Sequence, residues 1–318
     1  MKDHFVSDLE PNQNVTTTFL VKDKEVRTAK NGNSYLSLTL GDKSGSLDAK
    51  MWDNVAEVEP TFGRDDFVKV RGQVRLFNNK QQLTIHRLRR CQESEVDLGD
   101  YLPKTTRDVE QMFGDLLAQV SRIGNPHLKM LLENLLSDSE FALKFKQAPA
   151  AKSLHHAWLG GLLEHTLSLC RLCQGMAEHY PDLDLDLLLT GAVLHDIGKT
   201  EELSYSRSFA YTTEGQLLGH MILELELINR KMVEIEGFPP KLKTLVQHLI
   251  ISHHGEYEFG SPKLPMFPES LVLHYLDNLD SKLTSMLNLI AGDTNTDPEW
   301  TAYNRMFERP LFKGSKTK

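Results

Sequence analysis

The sequence predicts a small closed all-β barrel followed by an all-α domain. Three observations carry this. Residues 15–90 form short alternating or β-branched runs separated by turn signals. From residue 106 onward, apolar residues recur at spacings of three and four. Charge also changes sign between the two parts. Residues 1–92 hold 15 Lys+Arg against 12 Asp+Glu, a net +3, and the rest hold 21 against 32, a net −11. A mildly basic head on an acidic body hints at an anionic ligand for the head.

The strands follow in order as "TTTFLVKDKEVRT", "SYLSLTLGDKSGSLDAKMW", "DFVKVRGQVRLF" and "QQLTIHRLRR". The turn signals between them are "KNGN", "GDKSG", "FGRDD" and "NNK". About five strands in so short a span suit a closed barrel, and the central run resembles the OB-fold. Barrels of that kind bind single-stranded nucleic acid by stacking and a basic groove. The candidates for this role are Tyr35, Trp52, Lys69, Arg71, Arg75 and Phe77. The competing reading places most of the aromatics in the barrel core.

Residues 93–105 are acidic and polar and read as a linker, with Thr105 or Thr106 as the next helix cap. Helical periodicity then covers 109–120, 127–136, 157–180, 183–196, 216–235, 241–251 and 269–290. The expected organisation is a nucleic-acid-binding barrel over 1–92, a linker over 93–105, a helical domain over 106–312 and a flexible tail over 313–318. No run approaches the ~20 apolar residues of a membrane span. The start, "MKDHFVSDLE", has no apolar signal core, so a cytoplasmic location with no membrane partner is expected. Three cysteines argue against a disulfide framework. Cys170 and Cys173 form a lone CxxC on an apolar helix, where packing is the simpler role.

The helices repeatedly deliver a histidine or aspartate from an apolar face. "WLGGLLEHTLSLC" places His165 with Leu162 and Leu169, so its ring points inward. "LTGAVLHDIGKTEEL" ends a hydrophobic helix on His195–Asp196. "LLGHMILELELI" begins with His220, and "KLKTLVQHLIISHHGEY" reaches His253–His254 before Gly255, a C-cap. "LVLHYLDNLDSKL" sets Asp277 and Asp280 one turn apart, with Leu273, Leu276 and Leu283 expected around them. A lone buried histidine is an ordinary core group, and a carboxylate there is costly without a partner. Several together are the pattern of a buried cation site. Imidazole plus carboxylate without thiolate suits Mn, Fe, Co, Ni or Zn. The "GKT" at 198–200 is not a phosphate-binding loop, because Val193 stands where that motif needs glycine.

The order His165, His195–Asp196, His220, His253–His254, Asp277 resembles the HD-domain phosphohydrolase superfamily. The resemblance implies that His165, His195, Asp196 and Asp277 hold one metal ion. It further implies that Asp196 bridges to a second ion bound by His220 with His253 and His254, and that Lys199 contacts substrate phosphate. Asp196 and Lys199 are thus the catalytic candidates. His253 or His254 could instead orient a ligand or grip phosphate, and Asp280 could orient a ligand. His155 and His156 precede the His165 helix. Continued as helix they would turn away from the His165 face, leaving them to cap, stack or touch phosphate.

An OB-like barrel ahead of an HD domain, with "GGLLEHT" and "HDIGK", resembles the YhaM family of bacterial 3′→5′ exoribonucleases over roughly residues 5–300. This implies single-stranded RNA as substrate, with single-stranded DNA open, and a divalent cofactor, usually Mn. It also implies hydrolysis to nucleoside 5′-monophosphates by metal-activated water. Two other readings stay open at this stage: a phosphohydrolase of small nucleotides, and a catalytically silent nucleic-acid-binding regulator.

Overall fold

A computed structural model describes residues 2–77, 80–152, 156–205, 207 and 209–314. The chain divides into two compact units. One contains the residues up to Lys104 together with Ser204–Phe209, and the other contains Thr105–Leu203 and the residues from Ala210 on.

The first unit is built on a closed five-stranded barrel in the order β1-β2-β3-β5-β4. Its strands are β1 (Asn14–Thr28), β2 (Ser34–Asp42), β3 (Gly45–Met51), β4 (Phe67–Phe77) and β5 (Lys80–Arg90). All neighbours are antiparallel except β3 and β5. A register shift between Val21 and Asp23 bends β1, whose first half pairs with β4 and second half with β2. Alternation sends Phe19, Leu36, Leu40, Val70 and Leu83 inward, each fully buried. A short helix, α1 (Val55–Val58), lies between β3 and β4.

The stretch expected as a linker is ordered against the barrel. Two 3-10 turns, Glu93–Glu95 and Leu98–Asp100, lead into Tyr101. That ring packs on Phe67 and Leu20, and its hydroxyl pairs with Thr18 Oγ1. The polar composition of this stretch concealed one aromatic anchor.

The second unit is helical: α2 (Val109–Val120), α3 (Pro126–Leu136), α4 (Ser139–Gln147), α5 (Gly161–His179), α6 (Leu185–Leu194), α7 (Lys199–Glu202), α8 (Thr213–Leu218), α9 (His220–Val233), α10 (Pro240–Ser252) and α11 (Pro268–Ala291). Two-residue strands β6 (Leu203–Ser204) and β7 (Ala210–Tyr211) pair between α7 and α8. Residues 187–194 of α6 are all buried, which makes it the central helix. The cap of α2 is Asp108, which accepts from Gln111 N at 2.9 Å, and not Thr105 or Thr106. Thr105 donates instead to Glu164 Oε2 at 2.8 Å.

Helix α4 was not expected from periodicity. Its signals are local: Asp138 accepts from Glu140 N and Phe141 N, and Phe141 and Phe145 bury one face at i, i+4. Among the described residues no helix is long and apolar enough to cross a membrane. Because Phe145 is fully buried, Phe145→Ala should destabilise the helical unit by about 3–5 kcal/mol. Chemical denaturation followed by helical circular dichroism measures this.

Candidate metal centre

Five helical segments bring the predicted residues together. His165 comes from the first turns of α5. His195 and Asp196 follow the last turn of α6. His220 opens α9, His253–His254 follow α10, and Asp277 and Asp280 lie on α11. Close approach of α9 depends on Gly198, where a Cβ would overlap the His220 carbonyl oxygen.

Asp196 is buried, and its two oxygens face different neighbours. Oδ2 lies 3.2 Å from His195 Nε2, 3.9 Å from His165 Nε2 and 2.6 Å from Lys199 Nζ. Oδ1 lies 3.6 Å from His220 Nε2 and 3.8 Å from His253 Nε2. On the first side, His165 Nε2 is also 3.1 Å from Asp277 Oδ1 and 3.2 Å from His195 Nε2. Donor atoms of His165, His195 and Asp277 form one cluster with metal-binding spacing, and those of His220, His253 and His254 form another.

The rings are held in one sense. Nδ1 of His195, His253 and His254 meets the carbonyls of Ala192 (3.0 Å), Ile250 (2.6 Å) and Phe259 (2.8 Å). Nδ1 of His165 meets Asp280 Oδ2 at 2.7 Å, and Nδ1 of His220 meets Glu202 Oε1 at 3.2 Å. A neutral ring donating through Nδ1 carries its lone pair on Nε2. In all five rings Nδ1 is the nitrogen engaged by its partner, which leaves Nε2 as the atom that would ligate once unprotonated.

Fit to a cation can be tested on the polar atoms left over. Asp196 Oδ1, His220 Nε2 and His253 Nε2 are buried with no hydrogen-bond partner. Each such group costs roughly 1–3 kcal/mol if left unsatisfied. All three are acceptors in the ring sense just described, so a single cation would satisfy them together. Electrostatics agree. Burial, with His254 and His195 nearby, pushes the His253 pKa well below its ordinary value. Burial, with His220, lowers His254 too. Both rings are thus in the ligating form. Burial opposes a proton on His165, but the hydrogen bonds to Asp277 and Asp280 outweigh it and raise the pKa to about 9. That corner attracts positive charge. Asp196 is likewise opposed by burial, yet Lys199 and His195 hold its carboxyl well below the usual carboxylate range.

Asp280 orients His165 and accepts from Ser168 Oγ at 2.6 Å. His156 lies closer to the site than helical continuation predicts. α5 begins only at Gly161, and His156 has φ 47°, so the chain folds back there. Its Nε2 is 3.3 Å from Asp280 Oδ2 without hydrogen-bond alignment, and its ring centroid is 5.4 Å from His165. His155 lies outside the described residues. Leu283 does not surround the aspartates as expected. It is 50% exposed, its position lying about 120° around α11 from Asp277.

Two carboxylates escaped the sequence reading. Glu202 receives His220 twice, from its backbone N at 3.0 Å and from its ring. Glu224 is fully buried, one turn after His220, and accepts from Gly198 N at 3.5 Å. Burial, with Asp196 nearby, raises its pKa well above the usual range. The available signal was Glu224 on the ridge His220, Glu224, Ile228, Met232, whose other members are apolar or ligating. Glu164 is structural: it accepts from Trp158 Nε1 at 2.9 Å and from Thr105.

On the barrel, all six nucleic-acid candidates lie outside the core. Tyr35 and Trp52 stack on each other with centroids 4.4 Å apart and planes 25° apart, and Lys50 lies over Tyr35. Trp52 is 47% exposed and Phe77 60%. On β4 and β5, Arg71 stands opposite Arg87 and Lys69 opposite Arg89, along a groove of about 380 Å³ that also holds His86. Directly opposed like charges weaken a sheet. Glu95 relieves Arg89. Arg75 lies farther along β4 and donates to Gln73 Oε1.

A family model described as HD domain matches residues 162–282, and one described as OB-fold nucleic acid binding domain matches residues 20–90. Curated relatives named 3′-5′ exoribonuclease YhaM, from Bacillus velezensis and Bacillus subtilis, are each 35% identical over 307 residues. The match covers 95% of this chain and 97% of theirs. Among solved structures, the second OB-fold domain of replication protein A from Methanococcus maripaludis aligns at 24% identity. It covers 27% of this chain and 90% of that one, with a TM-score of 0.23.

Glu202→Gln keeps the shape of the His220 support but removes its charge. It should weaken divalent-ion binding about 10- to 100-fold, read by calorimetric titration of Mn²⁺ into the full chain. Glu201→Gln, whose side chain pairs with Lys144, should not.

Proposed function

The chain belongs to the YhaM family of 3′-5′ exoribonucleases, and on that footing we infer that it is a metal-dependent 3′→5′ exoribonuclease. Its substrate is single-stranded RNA and its products are nucleoside 5′-monophosphates. The observation that carries the hydrolytic part is the division of Asp196, one oxygen toward His195 and His165 and the other toward His220 and His253.

Asp196 would be shared between two divalent ions, with His165, His195 and Asp277 holding one and His220, His253 and His254 the other. Manganese is our choice of ion because the family resemblance implies it, and nitrogen and oxygen donors without thiolate accept it. Bound there, divalent ions supply a low-pKa water and offset the charge that develops on the phosphate.

The chain's own groups do the rest. Asp280 and Ser168 lock the His165 ring, and Glu202 locks His220. Lys199 holds its ammonium against Asp196 Oδ2, where it neutralises an entering phosphate. Attack of water on phosphorus breaks the bond to the preceding 3′ oxygen, which takes up a proton. The terminal nucleotide leaves with its 5′ phosphate. No side-chain nucleophile is required.

The barrel, residues 1–92 with the ordered stretch that follows, holds the strand. Tyr35 and Trp52 stack bases, and Lys69, Arg71 and Arg75 with Phe77 follow the backbone. An exonuclease with such a barrel retains its substrate between cuts by raising the effective concentration of the bound end. The substrate in this reading is single-stranded RNA, with single-stranded DNA open, and the enzyme works in the cytoplasm. The outward stack and opposed cations favour a polymer over a free nucleotide.

The test is a single-stranded RNA with a labelled 3′ end, incubated with the full chain and Mn²⁺. Labelled 5′-monophosphate should appear first and chelation should stop it. Preferential hydrolysis of free nucleotides would favour the small-substrate reading instead. Asp196→Ala should bind RNA normally and turn over none. Equal cleavage by variant and parent would remove the metal mechanism. Trp52→Ala should lose roughly 1–3 kcal/mol of binding. Arg71→Ala should reduce the slope of log affinity against log salt by about 1.

A further inference from the structure

We propose that the groove between α1 and the outer face of β4 and β5 is a ribonucleotide subsite that selects RNA over DNA. In it Arg71 and Arg87 hold a phosphate, and Glu57 accepts a hydrogen bond from the ribose 2′-hydroxyl. The inference rests on the reading of the barrel as the unit that holds the strand.

The groove is built by a break in strand phase. Leu83 and Ile85 are buried in the barrel. Period-2 alternation would turn Arg87 inward with them. The register between β4 and β5 instead shifts between the pairs Arg71–Arg87 and Gly72–Ile85, which leaves His86 without an opposite residue on β4. This bulge reverses the phase, so Leu88 packs on the core and Arg87 is exposed beside Arg71. It needs glycine at 72, where a Cβ would overlap the Thr84 carbonyl oxygen. A like-charge pair is thereby set on the outer face. Glu95 meets Arg89 and Asp66 meets Arg90, but among the described residues neither Arg71 nor Arg87 forms an ion pair.

The opposite wall carries the signal of a sugar. Asn54, Glu57 and Val58 line the groove from one face of α1 and its cap, at i, i+3 and i+4. Glu57 thus shares a space of about 380 Å³ with Arg71 and Arg87, yet among the described residues it pairs with neither. Opposite charges that line one space without meeting leave room for a ligand that accepts on one side and donates on the other. An ionised carboxylate only accepts. Every polar group along a DNA backbone is also an acceptor, so Glu57 repels it. The 2′-hydroxyl is the donor that an RNA backbone adds. Phosphate on the arginines and 2′-hydroxyl on Glu57 satisfy both walls, and the carboxylate acts against DNA as well as for RNA. The Tyr35–Trp52 stack supplies no such bias, since every base has a π-face. Groove and stack adjoin, because Met51 and Asn54, on either side of Trp52, line the groove.

The test is binding of one sequence, as single-stranded RNA, DNA and 2′-O-methyl RNA, to the full chain. A chelator prevents cleavage, and fluorescence anisotropy reads the affinity. The parent should bind RNA at least about 10-fold tighter than the other two, the scale of one hydrogen bond to a charged group. Glu57→Ala should bind all three alike. Glu10→Ala removes an exposed acid elsewhere on the first unit and should keep the parent's preference. Arg87→Ala should weaken all three and lower the slope of log affinity against log salt by roughly 0.7–1. Equal binding of RNA and 2′-O-methyl RNA by the parent overturns the proposal without any variant. A Glu57→Ala chain that keeps the parent's preference overturns it too, as does an Arg87→Ala chain with an unaltered salt slope. In each of these cases the strand is still bound, so the reading of the barrel stands. Failure to bind any of the three strands overturns that reading, and the subsite with it.

Discussion

Burying Asp196 among imidazoles is the constraint on which the helical unit is organised. An isolated carboxylate in a protein interior is penalised by several kcal/mol unless positive charge and hydrogen bonds meet it. Lys199 and His195 meet one oxygen, and the other faces two ring nitrogens that also lack partners. The fold therefore stores an electrostatic demand at the point where five helical segments meet. A cation that fills this demand stabilises the folded chain as well as serving chemistry. The surrounding helices supply the rigid apolar wall that makes the demand strong, since Leu188, Leu194, Leu249 and Leu273 are fully buried.

Rigidity is passed outward in layers. Backbone carbonyls fix three rings, and carboxylates fix two more. Those carboxylates are held in turn: Asp280 by Ser168, and Glu202 by the backbone of His220. His274 donates to the carbonyl of His253 at 2.9 Å and so fixes the turn after α10. Ligand direction is set before any ion arrives, which lowers the reorganisation that binding and catalysis require.

The barrel follows the opposite rule. Its interior is apolar and closed, and its candidate binding groups are placed outside, where they compete with water. Opposed arginines on β4 and β5 weaken the sheet locally. On the reading proposed above, a polyanion against this surface would offset that cost. The helical unit concentrates its polar chemistry in a buried centre, and the barrel spreads its own over an open face.

Much of this was legible in the sequence, for physical reasons that differ by element. Period-2 alternation fixed the five strands, and 3.6-residue periodicity fixed α2, α3, α10 and α11 to within a residue or two, because burial of one face leaves a mark on composition. The apolar settings of His165, His195, Asp196 and Asp277 marked them as inward for the same reason. Helix α4 was hidden because its stability comes from a cap and two phenylalanines rather than a long stripe. The order in 93–101 was hidden because a single tyrosine carries it. Which carboxylate supports which imidazole could not be read at all. Glu202 and Glu224 approach the centre from opposite sides of a chain reversal, and His156 reaches it through a left-handed backbone turn. Sequence by itself determined which strands and helices turn an apolar face inward. Only the tertiary structure decided which buried polar atoms face one another, because that depends on distances of a few tenths of an ångström across helices far apart in the chain.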